Sequence, residues 1–153
     1  MEKRGSSGPH RLSDIARGYS DTHLIIVALD GSALASRAIP PAAHFAEELG
    51  VPLLLIQILQ SSRGDAARDE AVRRSQAEGY LDAMKRSLTN PRLRLETLID
   101  DLEGARLRTL MDNCPNALLL TSKAVVSVDS PLSRLELALE EKYPSGVLVN
   151  DWS

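Results

Sequence analysis

Two rhythms of apolar and polar residues alternate along this chain. Leu24, Ile25, Ile26, Val27, Ala28 and Leu29 form an unbroken apolar run about one strand long. A run without polar alternation predicts a strand covered on both faces, as in a central parallel sheet. Asp30-Gly31-Ser32 breaks the run, and Ala35, Ala38, Ile39, Ala42, Ala46 and Leu49 then recur at helical spacing. Either Asp30 or Ser32 can accept from the N–H groups that open this helix, with Gly31 allowing the reversal between them. Pro40-Pro41 lies inside the pattern, and two readings stand: a kinked helix, or a break into two short ones. Gly50 suits a C-cap.

Residues 53–59 are a second dense apolar run, interrupted only by Gln57, which reads either as a satisfied core amide or as a ligand contact. A polar loop over 61–69 leads into a helix over 70–88, where Ala77, Leu81, Met84 and Leu88 keep one face and Asn90-Pro91 ends it. Leu93, Leu95, Thr97 and Ile99 alternate with Arg92, Arg94, Glu96 and Leu98, predicting a strand nearer the sheet edge. Asp100-Asp101 can cap the next helix, whose inner face is Leu107, Leu110, Met111 and Cys114, with Gly104 weakening its first turn.

Residues 117–121 are a fourth strand and 124–129 a loop. Ser130 is then placed as an N-cap, Pro131 as the first helical residue and Ser133 as a further N-terminal contact. Leu132, Leu135, Ala138 and Leu139 make the buried stripe; Pro144-Ser145-Gly146 ends the helix before a short strand, Val147-Leu148-Val149. Strands alternate with helices throughout, which predicts a single-domain α/β fold with helices on both faces of a parallel sheet. The domain is placed at 23–153, with 1–22 a mobile arm carrying one helical turn at 13–17. In such sheets ligands sit at the carboxyl ends of the strands, where Asp30-Gly31-Ser32 and Thr121-Ser122-Lys123 both fall.

Composition narrows the function classes. The 153 residues are 43% hydrophobic and 25% charged with a net charge of −3, ordinary globular values that argue against a nucleic-acid surface. Aromatic residues are only 3%, too few for base-stacking platforms. No apolar run is long enough for a membrane helix, and the Gly/Ser-rich start lacks the apolar core of a secretory signal. The single cysteine, Cys114, excludes an internal disulfide and reads as a small core residue. A soluble cytoplasmic protein is expected. His10, His23 and His44 lack metal-ligand spacing. Asp100-Asp101 reads as capping charge rather than a catalytic pair, and Arg73-Arg74 with Glu70 and Glu78 as a solvated helix face. No nucleophile–base pairing stands out, so no enzyme is expected.

The stretch Ile25-Ile26-Val27-Ala28-Leu29-Asp30-Gly31-Ser32, followed by Ala35-Ser36-Arg37-Ala38-Ile39-Pro40, resembles the opening of the universal stress protein family. Tyr143-Pro144-Ser145-Gly146-Val147-Leu148-Val149 resembles its closing strand, so the likeness spans about 22–151. The resemblance implies a five-stranded parallel sheet of order 3-2-1-4-5, in the Rossmann-like manner of the adenine nucleotide alpha hydrolases. It also implies homodimers through the last strand, with Val147, Leu148, Val149 and Trp152 at the edge. ATP-binding members carry a glycine-rich segment after strand four, whose bare backbone approaches phosphate oxygens. The corresponding stretch here, 121–134, contains no glycine, and Val125, Val126 and Val128 are β-branched. The resemblance therefore implies a non-catalytic stress-response module, with no cofactor, that does not bind ATP in the family's usual way. The alternative is an ATP- or AMP-binding protein with an altered phosphate site, using Asp30, Gly31, Ser32, Lys123, Ser133 and Arg134. Of these, Lys123, Ser133 and Arg134 also read as surface or capping residues, and Asp30 as a helix cap.

Overall fold

A computed structural model describes residues 17–59, 67–88, 90, 92–101 and 103–152. All but Arg17 of the turn expected at 13–17, most of the arm, the loop residues 61–66, His10 and Pro91 lie outside them. Five strands, β1 (Leu24–Leu29), β2 (Leu53–Ile58), β3 (Leu95–Asp100), β4 (Ala117–Ser122) and β5 (Val147–Asn150), form one sheet of order β3-β2-β1-β4-β5. Every pairing is parallel. The helices between them are α1 (Ala33–Ser36), α2 (Ile39–Leu49), α3 (Ala67–Ser87), α4 (Ala105–Asn113), α5 (Lys123–Val126) and α6 (Pro131–Lys142).

The unbroken apolar runs become the central strands. Ile25 to Leu29 in β1 and all of β4 are buried, because helices cover both faces. The alternating run becomes β3, partly exposed and at one edge, as its pattern predicts. Pro40-Pro41 breaks the helix rather than kinking it. They fall in the first turn of α2, where a missing N–H costs nothing, and the first α-helical bond runs from Ala42 N–H to the Ala38 carbonyl at 3.0 Å. Gly50 closes α2 in the left-handed region at φ +67°.

Four local expectations change. α3 begins at Ala67, three residues before its periodicity starts. Gly104 does not sit in a first helical turn; it precedes α4 at φ +70°, a backbone conformation that a side chain would strain. Residues 123–126 form a helical turn instead of a loop, because the Ser122 hydroxyl accepts from Val125 N–H at 3.2 Å. On α6 the buried positions are Leu132, Ser133, Leu135, Glu136 and Leu139, while Ala138 faces solvent. Among the described residues no helix is long and apolar enough to cross a membrane.

Candidate functional site

The carboxyl ends of β1, β2 and β4 bring two groups of residues to the same rim of the sheet. At the end of β1, Asp30 is half-buried and its Oδ1 accepts from Ser32 N–H at 2.9 Å. Gly31 makes the turn at φ +88°, and the Ser32 hydroxyl caps α1 by accepting from Ala35 N–H at 3.2 Å. Ser32, not Asp30, is therefore the N-cap. Asp30 fixes the turn by accepting that bond from Ser32 N–H.

Beside this turn lies an open cleft of about 580 Å³, walled by Asp30, Gly31, Gln57, Arg73, Gln76 and Tyr80 among others. Gln57 is 7% exposed and its Oε1 has no hydrogen-bond partner among the described residues. The reading of Gln57 as a satisfied core amide is thus corrected: a buried amide with an orphan acceptor is costly. Arg73 is likewise no part of a freely solvated face, since it lines the cleft. Tyr80 is half-buried, and burial pushes its hydroxyl above its ordinary pKa; the charge of Asp30 adds to this and a hydrogen bond with Ser36 offsets part of it.

On the β4 side the sequence-derived phosphate residues do not join that cleft. Ser133 is 2% exposed, and its hydroxyl accepts from Ser130 N–H at 3.0 Å and donates to the Ser130 carbonyl at 2.9 Å. The Ser130 hydroxyl returns the contact, accepting from Ser133 N–H at 3.1 Å, which completes a capping box. Arg134 is exposed and its Nε meets Asp129 Oδ1 at 3.1 Å. Lys123 is exposed on α5. Val125 turns into the core at 6% exposure while Val128 stays 45% exposed. What stands in place of a phosphate cradle is therefore a helical turn with one of its opening donors, Val125 N–H, taken by the Ser122 hydroxyl. Among the described residues positive φ occurs only at glycine, and none of those glycines lies between 121 and 134.

Sequence reasoning missed Glu136. It is 1% exposed, and its Oε1 accepts from Thr121 Oγ1 at 2.7 Å. Burial pushes its carboxyl up to about 8; the Thr121 bond works the other way and the negative charge of Asp30 adds to the rise. A signal was present, because Glu136 falls with Leu132, Leu135 and Leu139 on the i, i+3, i+4, i+7 stripe.

The last strand pairs with β4 on one side only. Val147 is buried, and Leu148 and Val149 are half-buried. Trp152 turns back on its own chain rather than along this edge. Its Nε1 donates to the Thr121 carbonyl at 2.8 Å, and its ring meets Phe45 edge-on at 6.2 Å.

No family model and no curated protein matches the chain. Solved structures do. A protein from the universal stress protein family from Burkholderia pseudomallei superposes with TM-score 0.63 at 21% identity, covering 85% of this chain and 96% of the other. Universal stress protein UspA from Lactobacillus plantarum gives 0.60 at 19% identity, over 83% and 96% of the two chains. A universal stress protein in complex with cAMP gives 0.59 at 17% identity, over 86% and 98%. The chain has the fold of the universal stress proteins, including the strand order 3-2-1-4-5.

Proposed function

We propose that this chain is a divergent universal-stress-type regulatory module, non-catalytic and self-associating, that does not hold ATP by its phosphates. The observation that carries the reading is the closed rim of β4. Ser122 caps α5, Ser130 and Ser133 cap each other, and Asp129 engages Arg134, where a triphosphate would need free backbone donors. The likeness in fold to universal stress proteins supports a stress-response role.

The test is calorimetric titration with Mg-ATP, AMP and cAMP. Mg-ATP is expected to bind no tighter than about millimolar, a free energy near −4 kcal/mol, with phosphate release no faster than in buffer. Micromolar Mg-ATP binding would overturn the reading in favour of a nucleotide module with an altered phosphate site at Asp30, Lys123, Ser133 and Arg134. The cleft beside Asp30 favours that second reading to the extent of a nucleoside-sized space, and one structural neighbour was solved with cAMP.

Self-association is assigned to β5, which among the described residues is an edge strand paired only with β4. A matching strand from a second copy would cover its outer side. Light scattering is expected to give a dimer at micromolar concentration. Leu148→Lys, at a half-buried position of that edge, is expected to shift it to monomer with the circular dichroism unchanged. A monomeric parent chain would remove the dimer from the proposal.

A further inference from the structure

We propose that Glu136, Thr121 and Trp152 form a proton-sensitive latch that docks the segment after β5 while the Glu136 carboxyl is protonated and releases it on ionisation. The two bonds that define the latch converge on one residue. The Thr121 hydroxyl donates to Glu136 at 2.7 Å, and the Thr121 carbonyl accepts from the Trp152 indole at 2.8 Å. Thr121 is itself 2% exposed and pairs in register with Val149 of β5. The device is independent of nucleotide binding and of self-association.

Among the described residues, an ionised carboxylate at 1% exposure has one neutral hydroxyl as its hydrogen-bond partner and must recruit water or swing outward. The Thr121 hydroxyl, which favours the ionised form, stays on the moving carboxylate, so either movement draws Thr121 along and shifts the carbonyl that anchors the indole. Among the described residues the groups around Glu136 do not neutralise such a charge. From β1 comes Asp30, of like sign, and from β4 comes the uncharged Thr121. α5 and the segment after β5 carry Lys123 and Asp151, both exposed. On α6 itself Arg134 meets Asp129 and Lys142 meets Asp112 of α4, so both cations are engaged at the surface.

The direction of the pH effect follows from linkage. The folded carboxyl titrates at about 8, above its ordinary value of 4.5. Below 4.5 both folded and unfolded chains hold the proton, and the contribution of Glu136 is fully present. Between the two values only the folded chain holds it, so stability declines as pH rises and levels off above about 8.

Trp152 is the only tryptophan in the chain, so its emission reports the latch without ambiguity. The full chain is titrated from about pH 6 to about pH 9.5, following emission and far-ultraviolet circular dichroism together. The expected result is a red shift with its midpoint near 8 and unchanged circular dichroism. Glu136→Gln keeps an acceptor for Thr121 but cannot ionise, and its red shift is expected to vanish. Thr121→Val removes a bond that lowers the Glu136 pKa, so its midpoint is expected to move to higher pH. A red shift that persists unchanged in Glu136→Gln, that is absent from the parent chain, or that coincides with loss of circular dichroism overturns the latch. Should Glu136→Gln fail to fold, Thr121→Val decides alone, and an unmoved midpoint rejects the proposal.

Discussion

Replacing Asp100 by alanine is expected to lower the unfolding free energy by about 3–4 kcal/mol, measured by urea denaturation. Asp100 closes β3, is 3% exposed, and accepts three backbone N–H groups: Asp101 at 2.8 Å, Arg106 at 3.1 Å and Leu107 at 2.8 Å. Among the described residues α4 has no other side-chain acceptor for its opening donors except Asp101, which takes Ala105 N–H at 3.2 Å, because the residue at its N-cap position is Gly104. Without the carboxylate the N–H of Leu107, a fully buried residue, loses its partner. Charge-assisted bonds of this kind contribute about 1.5–3 kcal/mol each, shared here with the loss of a helix cap. Asp100→Asn keeps one oxygen but turns an amide N–H toward a backbone N–H, and about 2 kcal/mol is expected. A loss below about 1 kcal/mol for the alanine variant would mean that α4 is held by its packing alone.

Gly104→Ala carries the second large effect, about 2–4 kcal/mol, from two additive causes. The backbone stands at φ +70°, which costs a non-glycine residue roughly 1–2 kcal/mol. A Cβ there would also lie 2.7 Å and 2.9 Å from the two terminal methyls of Leu135. Leu135 is 4% exposed on α6, so its methyls must shift within a packed interior to make room. Gly50 supplies the control. It has nearly the same φ, +67°, but nothing within 4 Å of its added carbon. Gly50→Ala is expected to lose only about 1 kcal/mol, so the difference between the two variants isolates the steric part. Equal losses at both positions would remove the Gly104–Leu135 contact as a determinant of how α4 meets α6.

Most of the fold is readable locally because its strands are buried on both faces. β1 and β4 declare themselves by length and apolarity, and the proline pair marks the boundary between α1 and α2. α5 escaped because one turn of helix built from Lys, Ala and two valines has no period to detect, and valine is a modest helix former. Its existence depends on the Ser122 hydroxyl. Glu136 escaped for a different reason: a charged residue beside apolar ones is ordinarily assigned to solvent, and only a partner fifteen residues earlier, Thr121, allows it inside. At the site, Asp30, Gly31 and Ser32 follow from the strand–turn–helix pattern. The opposite wall, Arg73, Gln76 and Tyr80, does not, because α3 meets β1 only through the three-dimensional layout of the sheet.

Among the described residues four helices open on oxygens supplied by the chain itself: Ser32 for α1, Asp100 and Asp101 for α4, Ser122 for α5, and the Ser130–Ser133 pair for α6. Each such oxygen is a tethered competitor, a few bonds from the amide it occupies, with an effective concentration that no freely diffusing anion reaches in a cell. An incoming solute is favoured only where the chain left an unmet partner of its own, and on this rim that description fits the amide of Gln57 better than any helix end.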